Sequence, residues 1–526
     1  MVRVRRTGHA MGAVASPHWL ASATGKDVLE QGGNALDACI AMNAMLAVVY
    51  PHMCGPGGDL FLLYYDARTA AMHSLNGSGR APKRASRSAF LQRGLTAVPT
   101  RGPLSVTVPG AVHAWKTAIE RFGSWELGRT LEPAIDAATN GVEVTERLAG
   151  WVARNSADLF ADPGLRTWFF DSAGEPVQGG AELVRPELAE TLRRIGTVGA
   201  DDFYAGALAR EIDRAVRDAD GLLRYEDLAA HRSDWAAPIS MTLGELDFYT
   251  TPPNSQGVVA LEMLNLLKLW DIETLSPGTA DHIHDIVRAK VVAFADRRRY
   301  LGDPSFADVP VSKLLSEEHA RETAETSSVR DRSAVLDGDT VYVCAVDGSR
   351  NVCSLIQSIY YAFGSAFVAG DTGVLLHNRG HYFSLDETSI NVLEPGKRPA
   401  HTLMASIGLR AAQPWLVLGT MGADGQPQTV TQVLLRLLAG EHPQEAVSAP
   451  RVLSGRFLLE DSDDRLLVES SHGSETVKRL EALGHDVEVV PALDERMGHA
   501  HAIVIKPDGG LEAGSDLRSD GEALVF

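Results

Sequence analysis

Thr340 stands where a polar segment meets a strongly patterned β-strand. The residues just before it, Asp337-Gly338-Asp339, end a stretch that has no aromatic side chains. A threonine at a chain terminus carries nucleophile and base together, because its hydroxyl attacks a carbonyl and its own α-amine accepts the proton. The position therefore suggests a precursor that breaks its own Asp339–Thr340 bond. On position alone, a threonine that begins a strand is more often an ordinary β-former.

The cysteines do not form a reactive motif. No two of them are spaced as CxxC, so the sequence contains neither a zinc nor a redox motif of that kind. Free buried thiols are the favoured interpretation, although the two in the predicted strands after Thr340 could also face each other. The four are Cys39, Cys54, Cys344 and Cys353.

Histidine pairs and glycine turns give weak alternatives to the threonine. His282 and His284 would point to different faces of a helix, and His499 and His501 lack an obvious third ligand. The glycine-rich turn at 54–59 does not open a helix after a strand, as a dinucleotide site would require. No GxSxG motif supports a serine hydrolase. We therefore expect neither a metal nor a cofactor.

The elements around Thr340 follow from apolar patterning. Residues 341–346 and 352–360 alternate around a turn at 347–351, which predicts a hairpin whose first strand begins at Thr340. Residues 34–49 predict a helix buried nearly all round, and 60–65 predict an apolar strand. Residues 317–339 are polar and predict an exposed linker.

A long helix is predicted between the linker and the middle of the chain. Its sequence, residues 280–304, ends at Gly302 and Pro304, as helices commonly do. Arg297-Arg298-Arg299 are interpreted as the solvated end of this helix.

Composition excludes several classes of protein. The chain has 526 residues, 45% of them hydrophobic, and a formal net charge of −19. This profile is typical of a large, loop-rich enzyme and disfavours nucleic acid or anionic membranes as partners. The basic N-terminus is not followed by an apolar run of roughly 7–15 residues, and no apolar stretch reaches ~18 residues. A cytoplasmic location is expected.

Nine segments, in order, resemble the gamma-glutamyltransferase (glutathione hydrolase) family of N-terminal-nucleophile hydrolases. The resemblance implies an α+β fold, the αββα four-layer sandwich, and cleavage into a large chain (1–339) and a small chain (340–526). The two chains would stay intertwined as a heterodimer, alone or as a dimer of heterodimers, with Thr340 as nucleophile. The segments are GGNALDACIAMNAMLAVVYPHMCGPGGDLF, SVTVPGAVHAW, TPPNSQG, AFADRRRYLGDP, DTVYVCAVDGSRN, SLIQSIYYAFGSAF, GVLLHNRGHYFS, PGKRPAHTLMASI and GTMGADGQPQ.

The resemblance also assigns roles in catalysis. The family's Gly-Gly pair, whose N–H groups form the oxyanion hole, falls on Gly422 and Ala423. A backbone donor tolerates alanine if its φ stays negative. The hydroxyl that supports the nucleophile falls on Ser358, where the family usually has threonine.

The chain departs from the family where the substrate carboxylate is held. The family arginine falls on Ser78 in LNGSGRAP, and Arg80 lies two residues later. In a strand-like segment a shift of two keeps the same face, so Arg80 is a candidate substitute. An ordinary loop or salt-bridge arginine is the equal alternative.

Further departures affect the amine-binding side. The family's asparagine and acidic residue fall on Tyr360 and Tyr382, and its Ser-Ser pair falls on His401 and Thr402. A buried substrate ammonium would lose its counter-ion there. The loop at 383–397 is short, so the family's lid is expected to be missing. These changes favour hydrolysis in an open, aromatic acyl pocket.

The expected activity is hydrolysis of an amide through an acyl-enzyme on Thr340. Candidate substrates are small molecules: γ-glutamyl amides, short acid amides such as oxamate, and acylated side chains of the cephalosporin kind. Three alternatives stay open: glutathione hydrolysis with γ-glutamyl transfer, hydrolysis of a carbon–carbon bond next to a carbonyl, and an uncut, non-catalytic scaffold.

Overall fold

Alternating and fully apolar runs form the strands of the computed structural model, which describes residues 10–325, 339–455 and 465–526. The strands are β1 (Ala13–Ser16), β2 (Asp59–Asp66), β3 (Ala71–Gly77), β4 (Val142–Glu143), β5 (Glu182–Leu183), β6 (Asp234–Ala236), β7 (Ile239–Leu243), β8 (Leu246–Thr250), β9 (Asp339–Val346), β10 (Val352–Tyr360), β11 (Ser406–Arg410), β12 (Gln413–Thr420), β13 (Val452–Gly455), β14 (Arg465–Glu469), β15 (Val487–Val490), β16 (Ala500–Ile505), β17 (Leu511–Ser515) and β18 (Glu522–Val525).

The helices lie mostly before Thr340. They are α1 (Trp19–Glu30), α2 (Ala35–Val49), α3 (Arg87–Gln92), α4 (Ala111–Phe122), α5 (Leu127–Asn140), α6 (Glu146–Arg154), α7 (Ser156–Ala161), α8 (Pro163–Phe169), α9 (Pro186–Thr197), α10 (Asp201–Ala205), α11 (Ala207–Asp218), α12 (Tyr225–Ala229), α13 (Gly257–Leu269), α14 (Ala280–Tyr300), α15 (Val311–Leu314), α16 (Glu317–Ala324), α17 (Gln426–Leu438), α18 (Pro443–Ser448) and α19 (Ser474–Ala482). Among the described residues, no helix is both long and apolar enough to cross a membrane.

Two antiparallel sheets form the centre of the molecule. The first has the strand order β18-β1-β9-β10-β2-β3-β6, and the second has the order β17-β16-β12-β11-β8-β7. The predicted hairpin is therefore the middle of the first sheet, with Val343 opposite Leu355. Both sheets combine strands from before and after residue 339. The division into chains 1–339 and 340–526 stays a prediction, and such chains would share both sheets.

The inner faces of the sheets pack against each other. Tyr342 of the first sheet is fully buried, and a Cβ at position 419 of the second would lie 2.3 Å from its ring. Glycine at 419 therefore makes room for Tyr342. Burying each large apolar side chain stabilises the fold by about 1.5–3 kcal/mol. Other members of this core include Phe61, Leu63, Ile356, Ile407, Val417 and Ile503.

Helices cover both outer faces and complete four layers. The outer face of the first sheet packs with α2. Every residue of α2 is buried, as predicted. Asn34 caps this helix by accepting hydrogen bonds from the N–H groups of Leu36 and Asp37. The second sheet packs with α13 and α17. The α+β fold, an αββα sandwich, is confirmed.

The predicted linker is wrong in its first part. Residues 317–324 form α16, and Ser316 caps it by accepting a hydrogen bond from the N–H of His319. Two glutamates in the first turn suit the positive end of the helix. Residues 326–338 lie outside the described residues. All four cysteines are buried and free.

Candidate active site

Thr340 is 1% exposed and lies at the start of β9, beside an irregularity in β10. The register between the two strands shifts between Gln357 and Tyr360, so Ser358 is not part of the regular ladder. Its Oγ donates a hydrogen bond to the carbonyl oxygen of Asp339 at 2.5 Å. The same Oγ accepts one from the N–H of Tyr360 at 2.7 Å. A fixed hydroxyl therefore sits on the carbonyl of the bond expected to break.

The glycine-rich turn before β2 supports this irregularity. The N–H of Ile359 donates to the carbonyl of Met53 at 3.1 Å. A Cβ at Gly58 would lie 2.4 Å from the carbonyl oxygen of Ser358, so only glycine allows the backbones to approach this closely. Tyr360 has a φ of +81°. The turn is thus a backbone support for Ser358.

A second turn, between β12 and α17, carries the expected oxyanion donors. Gly422 has a φ of +129° and Ala423 a φ of +41°. The condition of a negative φ is not met at Ala423: the alanine occupies the left-handed region, at a cost of roughly 1–2 kcal/mol. Neither N–H donates a hydrogen bond to another described residue. The start of α17 three residues later adds a positive helix end to the turn.

Buried polar side chains hold this strained turn in place. Nε2 of Gln256 donates to the carbonyls of Ala423 and Thr402, at 2.8 and 2.6 Å. Arg297 binds Asp424 through two nitrogens, at 2.6 and 3.0 Å. The interpretation of Arg297 as part of a solvated helix end is wrong, because it is 7% exposed and forms this buried ion pair. A bidentate Arg–carboxylate pair fixes geometry as well as charge.

Aromatic side chains lie beside the turn. The rings of Tyr360 and Tyr382 meet edge to face, with centroids 5.8 Å apart. The hydroxyl of Tyr382 donates to Asp424 Oδ1 at 3.3 Å, and burial raises the pKa of Tyr382 above its ordinary value. Arg379 stacks on Tyr360 with Cζ 3.9 Å from the ring centroid, and its Nη1 donates to Thr402 Oγ1 at 3.2 Å. The turn and the hairpin are therefore joined by an aromatic wall.

Comparison with known proteins agrees with this geometry. The profile of the family described as Gamma-glutamyltranspeptidase matches residues 21–526. The chain belongs to the gamma-glutamyltranspeptidase family. It is 40% identical to the "Glutathione hydrolase-like YwrD proenzyme" of Bacillus subtilis (strain 168), over 97% of this chain and 98% of that protein.

Two further members of the family extend the comparison. The "Oxamate amidohydrolase proenzyme" of Klebsiella pneumoniae is 37% identical over 98% of each chain. A crystal structure of cephalosporin acylase from Bacillus halodurans matches with a TM-score of 0.89 and 34% identity, covering 100% of this chain and 98% of the other. These relationships support an enzyme that acts on amide bonds.

The residue that matches the arginine of the gamma-glutamyltranspeptidase family is buried away from solvent. Ser78 is fully buried, and its Oγ donates to Asn76 Oδ1 at 2.7 Å. Arg80 pairs with Asp303 at 3.3 Å and donates to the carbonyl of Gly396 at 3.1 Å. The strand argument for Arg80 is wrong, because β3 ends at Gly77. In this structure Arg80 makes the ordinary salt bridge that was the alternative.

His401 and Thr402, which match the family's serine pair, have different surroundings. Both ring nitrogens of His401 are engaged: Nε2 lies 3.1 Å from Asp59 Oδ2, and Nδ1 accepts from the N–H of Leu403. Burial, then Arg379, lowers the pKa of His401 to about 3. Thr402 instead faces Arg379, as described above. Thr402 therefore contacts Arg379, whereas both ring nitrogens of His401 are engaged within the protein.

One cluster of potential metal ligands lies elsewhere, between α13, α14 and α16. Ligand atoms of Glu262, Asp296 and His319 lie within 4.8 Å of one another. His319 Nε2 is 2.6 Å from Asp296 Oδ2. Burial, then the Asp296 carboxylate, raises the pKa of Glu262 well above its ordinary value. The His319–Asp296 contact and the raised pKa of Glu262 show that the three side chains interact with one another.

One member of each histidine pair singled out in the sequence bonds to another side chain, whereas both ring nitrogens of His499 are buried without a hydrogen-bond partner in the described part of the chain. His284 Nδ1 lies 3.0 Å from His485 Nε2, and His501 Nδ1 lies 3.1 Å from Ser515 Oγ. The buried arginines near the turn were missed, although the segments that carry them resemble the family.

Proposed function

We propose that this chain is a self-activating amidohydrolase with Thr340 as its nucleophile. The Thr340 hydroxyl attacks the Asp339 carbonyl carbon, the peptide C–N bond breaks, and the Asp339 acyl group moves to the hydroxyl as an ester. Water then hydrolyses the ester, which releases the Asp339 carboxylate and leaves Thr340 with a free α-amine. The observation that carries this proposal is the Ser358 hydroxyl on the Asp339 carbonyl at 2.5 Å.

Turnover uses the new chain end on a second carbonyl. The α-amine of Thr340 takes the proton of the hydroxyl, the hydroxyl attacks the substrate amide, and the amine product leaves with that proton. Water then hydrolyses the acyl ester on Thr340. The N–H groups of Gly422 and Ala423 are donors for the oxyanion, and one such donor stabilises the transition state by about 2.7–4 kcal/mol.

A short acid amide is the proposed substrate class, ahead of a γ-glutamyl amide. The positions matched to the family's amine-binding residues carry Tyr360 and Tyr382, and the nearby carboxylate of Asp424 is already bound by Arg297. A substrate ammonium would therefore be desolvated without a free counter-ion. The relative named as an oxamate amidohydrolase proenzyme supports the same choice.

Thr340→Ala tests the proposal directly. We expect this variant to stay one uncut, inactive chain, while Thr340→Ser matures because it keeps a hydroxyl. Thr139→Ala, on the exposed face of α5, is the matched control and should mature like the wild type. Denaturing gels, N-terminal sequencing of the small fragment and a panel of glutathione, oxamate, a glutaryl amide and a cephalosporin give the readouts. Maturation or amide turnover by Thr340→Ala would refute the proposal.

A further inference from the structure

Arg379 is a buried cation without an anionic partner. Its side chain is 1% exposed, and neither Nε nor Nη2 has a hydrogen-bond partner. No carboxylate within residues 10–325, 339–455 and 465–526 forms an ion pair with it. A buried guanidinium is costly to desolvate, so such groups are normally paired. An unpaired one needs an explanation outside the folded chain itself.

Other buried arginines of the chain show the usual arrangement. Arg451 and Arg518 are also among the largest fully buried side chains. Both pair with Asp516, at 2.5 and 3.0 Å. Arg518 binds Glu469 as well. Arg185 is also buried without an ion pair among the described residues, but two of its nitrogens donate to backbone carbonyls, at 2.8 and 3.2 Å. Arg379 donates one hydrogen bond and leaves two nitrogens without a partner in the same ranges, which distinguishes it from these three arginines.

The surroundings of Arg379 place it in the candidate active site. Tyr360, on which it stacks, is the register partner of Asp339. Thr402, which accepts from Nη1, shares the Gln256 side chain with the oxyanion turn. Tyr360 is 1% exposed, and its buried hydroxyl also lacks a hydrogen-bond partner among the described residues. The donors of Arg379 and Tyr360 that lack a partner therefore lie in the region that connects Asp339 with the turn at Ala423.

The two carboxylates nearest this group contact other side chains. Asp59 lies against two histidines, His401 at 3.1 Å and His377 at 3.4 Å. Asp424 is occupied by Arg297. Neither carboxylate hydrogen-bonds to the free Nε–H or Nη2–H of Arg379, and these two donors suit an anionic group on the substrate.

We infer that Arg379 and Tyr360 form a subsite that binds a free carboxylate on the acyl part of the substrate. The inference rests on the proposed function and narrows it to monoamides of short dicarboxylic acids. The guanidinium still offers Nε–H and Nη2–H, two donors on one edge, which is the arrangement that binds a carboxylate through both oxygens. Thr402 and the Tyr360 ring hold the guanidinium plane.

Isosteric substrate pairs test this subsite. Oxamate and succinamate carry a carboxylate, whereas oxamide and succinamide carry a neutral amide of the same shape. We expect mature wild-type enzyme to prefer the anion of a pair. Arg379→Gln should lower kcat/KM for that anion by about tenfold to a hundredfold and change turnover of the neutral partner by less than about threefold. Arg379→Lys keeps the charge without the fork and should fall between them. Arg84→Gln, an exposed arginine, is the control and should behave like wild type.

The outcomes separate this subsite from the proposed function. Turnover of amides with no preference for the anion, or an equal loss on both members of a pair in Arg379→Gln, would overturn the subsite alone. Failure of the cut wild-type enzyme to hydrolyse any amide would overturn the proposed function. If Arg379→Gln does not mature, inhibition of the wild type decides the question: succinate should inhibit more strongly than succinamide, and the reverse order would refute the subsite.

Discussion

Removing the Ser358 hydroxyl is the sharpest perturbation of self-cleavage. Ser358→Ala deletes the group that donates to the Asp339 carbonyl and accepts from the N–H of Tyr360. When the Thr340 hydroxyl attacks, this carbonyl oxygen gains negative charge, so the donor matters more in the transition state than before it. The variant should therefore still fold, but it should cut the Asp339–Thr340 bond slowly.

The structure sets the size of the effect. One donor to a developing oxyanion is worth about 2.7–4 kcal/mol, which corresponds to a cleavage rate lower by about 100-fold to 1,000-fold. The N–H of Tyr360 also loses its acceptor inside the protein, which costs about 1–3 kcal/mol of stability. The two effects are separable because only the first changes the rate at which folded protein is cut.

The assay follows the ratio of cut to uncut chain with time after purification under conditions that keep the protein folded. Ser358→Thr restores the hydroxyl and should restore cutting. Ser354→Ala is the matched control: it removes a buried hydroxyl from the same strand, bonded to Tyr342 at 2.8 Å, without touching Asp339. Equal cutting rates for Ser358→Ala and Ser354→Ala would refute the role given to Ser358.

Two further predictions concern stability. Asp424→Asn should destabilise the protein by roughly 3–5 kcal/mol in urea unfolding, because it removes the carboxylate that two nitrogens of the buried Arg297 bind, whereas Asp281→Asn breaks an exposed pair and should cost at most about 1 kcal/mol. Burial lowers the pKa of His282 to about 4 in the folded protein. Between about pH 6.5 and pH 4 the unfolded chain therefore binds a proton at this histidine that the folded chain does not bind. The free energy of unfolding falls as pH drops through that window. His282→Gln should remove up to about 3 kcal/mol of this loss at pH 4 relative to pH 7. Equal pH profiles for this variant and the wild type would contradict this account.

The fold was predictable where patterning and local chemistry agree. The hairpin after residue 339 alternates in period two with a turn of polar residues between its strands, and both features act within a few residues of one another. Helix α2 is apolar on every face, which identified it as buried. The prediction of a linker at 317–324 was wrong because polar composition does not exclude a helix. The local helix signal there is the cap at Ser316.

The candidate site residues could be predicted where a role depends on backbone position along the chain. They were harder to predict where the role depends on whether a side chain is buried. Ser358 and the turn at Gly422 follow from ordered segments that resemble the family. Arg297 was predicted to be one of three solvated arginines. Whether a residue lies on the buried face of a helix depends on what packs against that face, and here this is the turn that carries Asp424. A role for Arg379 could not be predicted from the sequence for the same reason. What distinguishes it is the lack of hydrogen-bond partners for Nε and Nη2 among the described residues, which only the folded structure shows.

In the proposed function, self-cleavage and turnover attack two different carbonyls with one hydroxyl, and each carbonyl is assigned its own donors. The Asp339 carbonyl is met by a side chain, Ser358, which needs only a bulge in a strand. The substrate carbonyl is assigned to backbone N–H groups at Gly422 and Ala423, which no acceptor in the described chain uses. Their turn includes an alanine with a φ of +41°, a conformation that persists only under constraint. Gln256 and the Arg297–Asp424 pair provide that constraint before any bond is cut, so the donors for the second reaction are already in place when the first one ends.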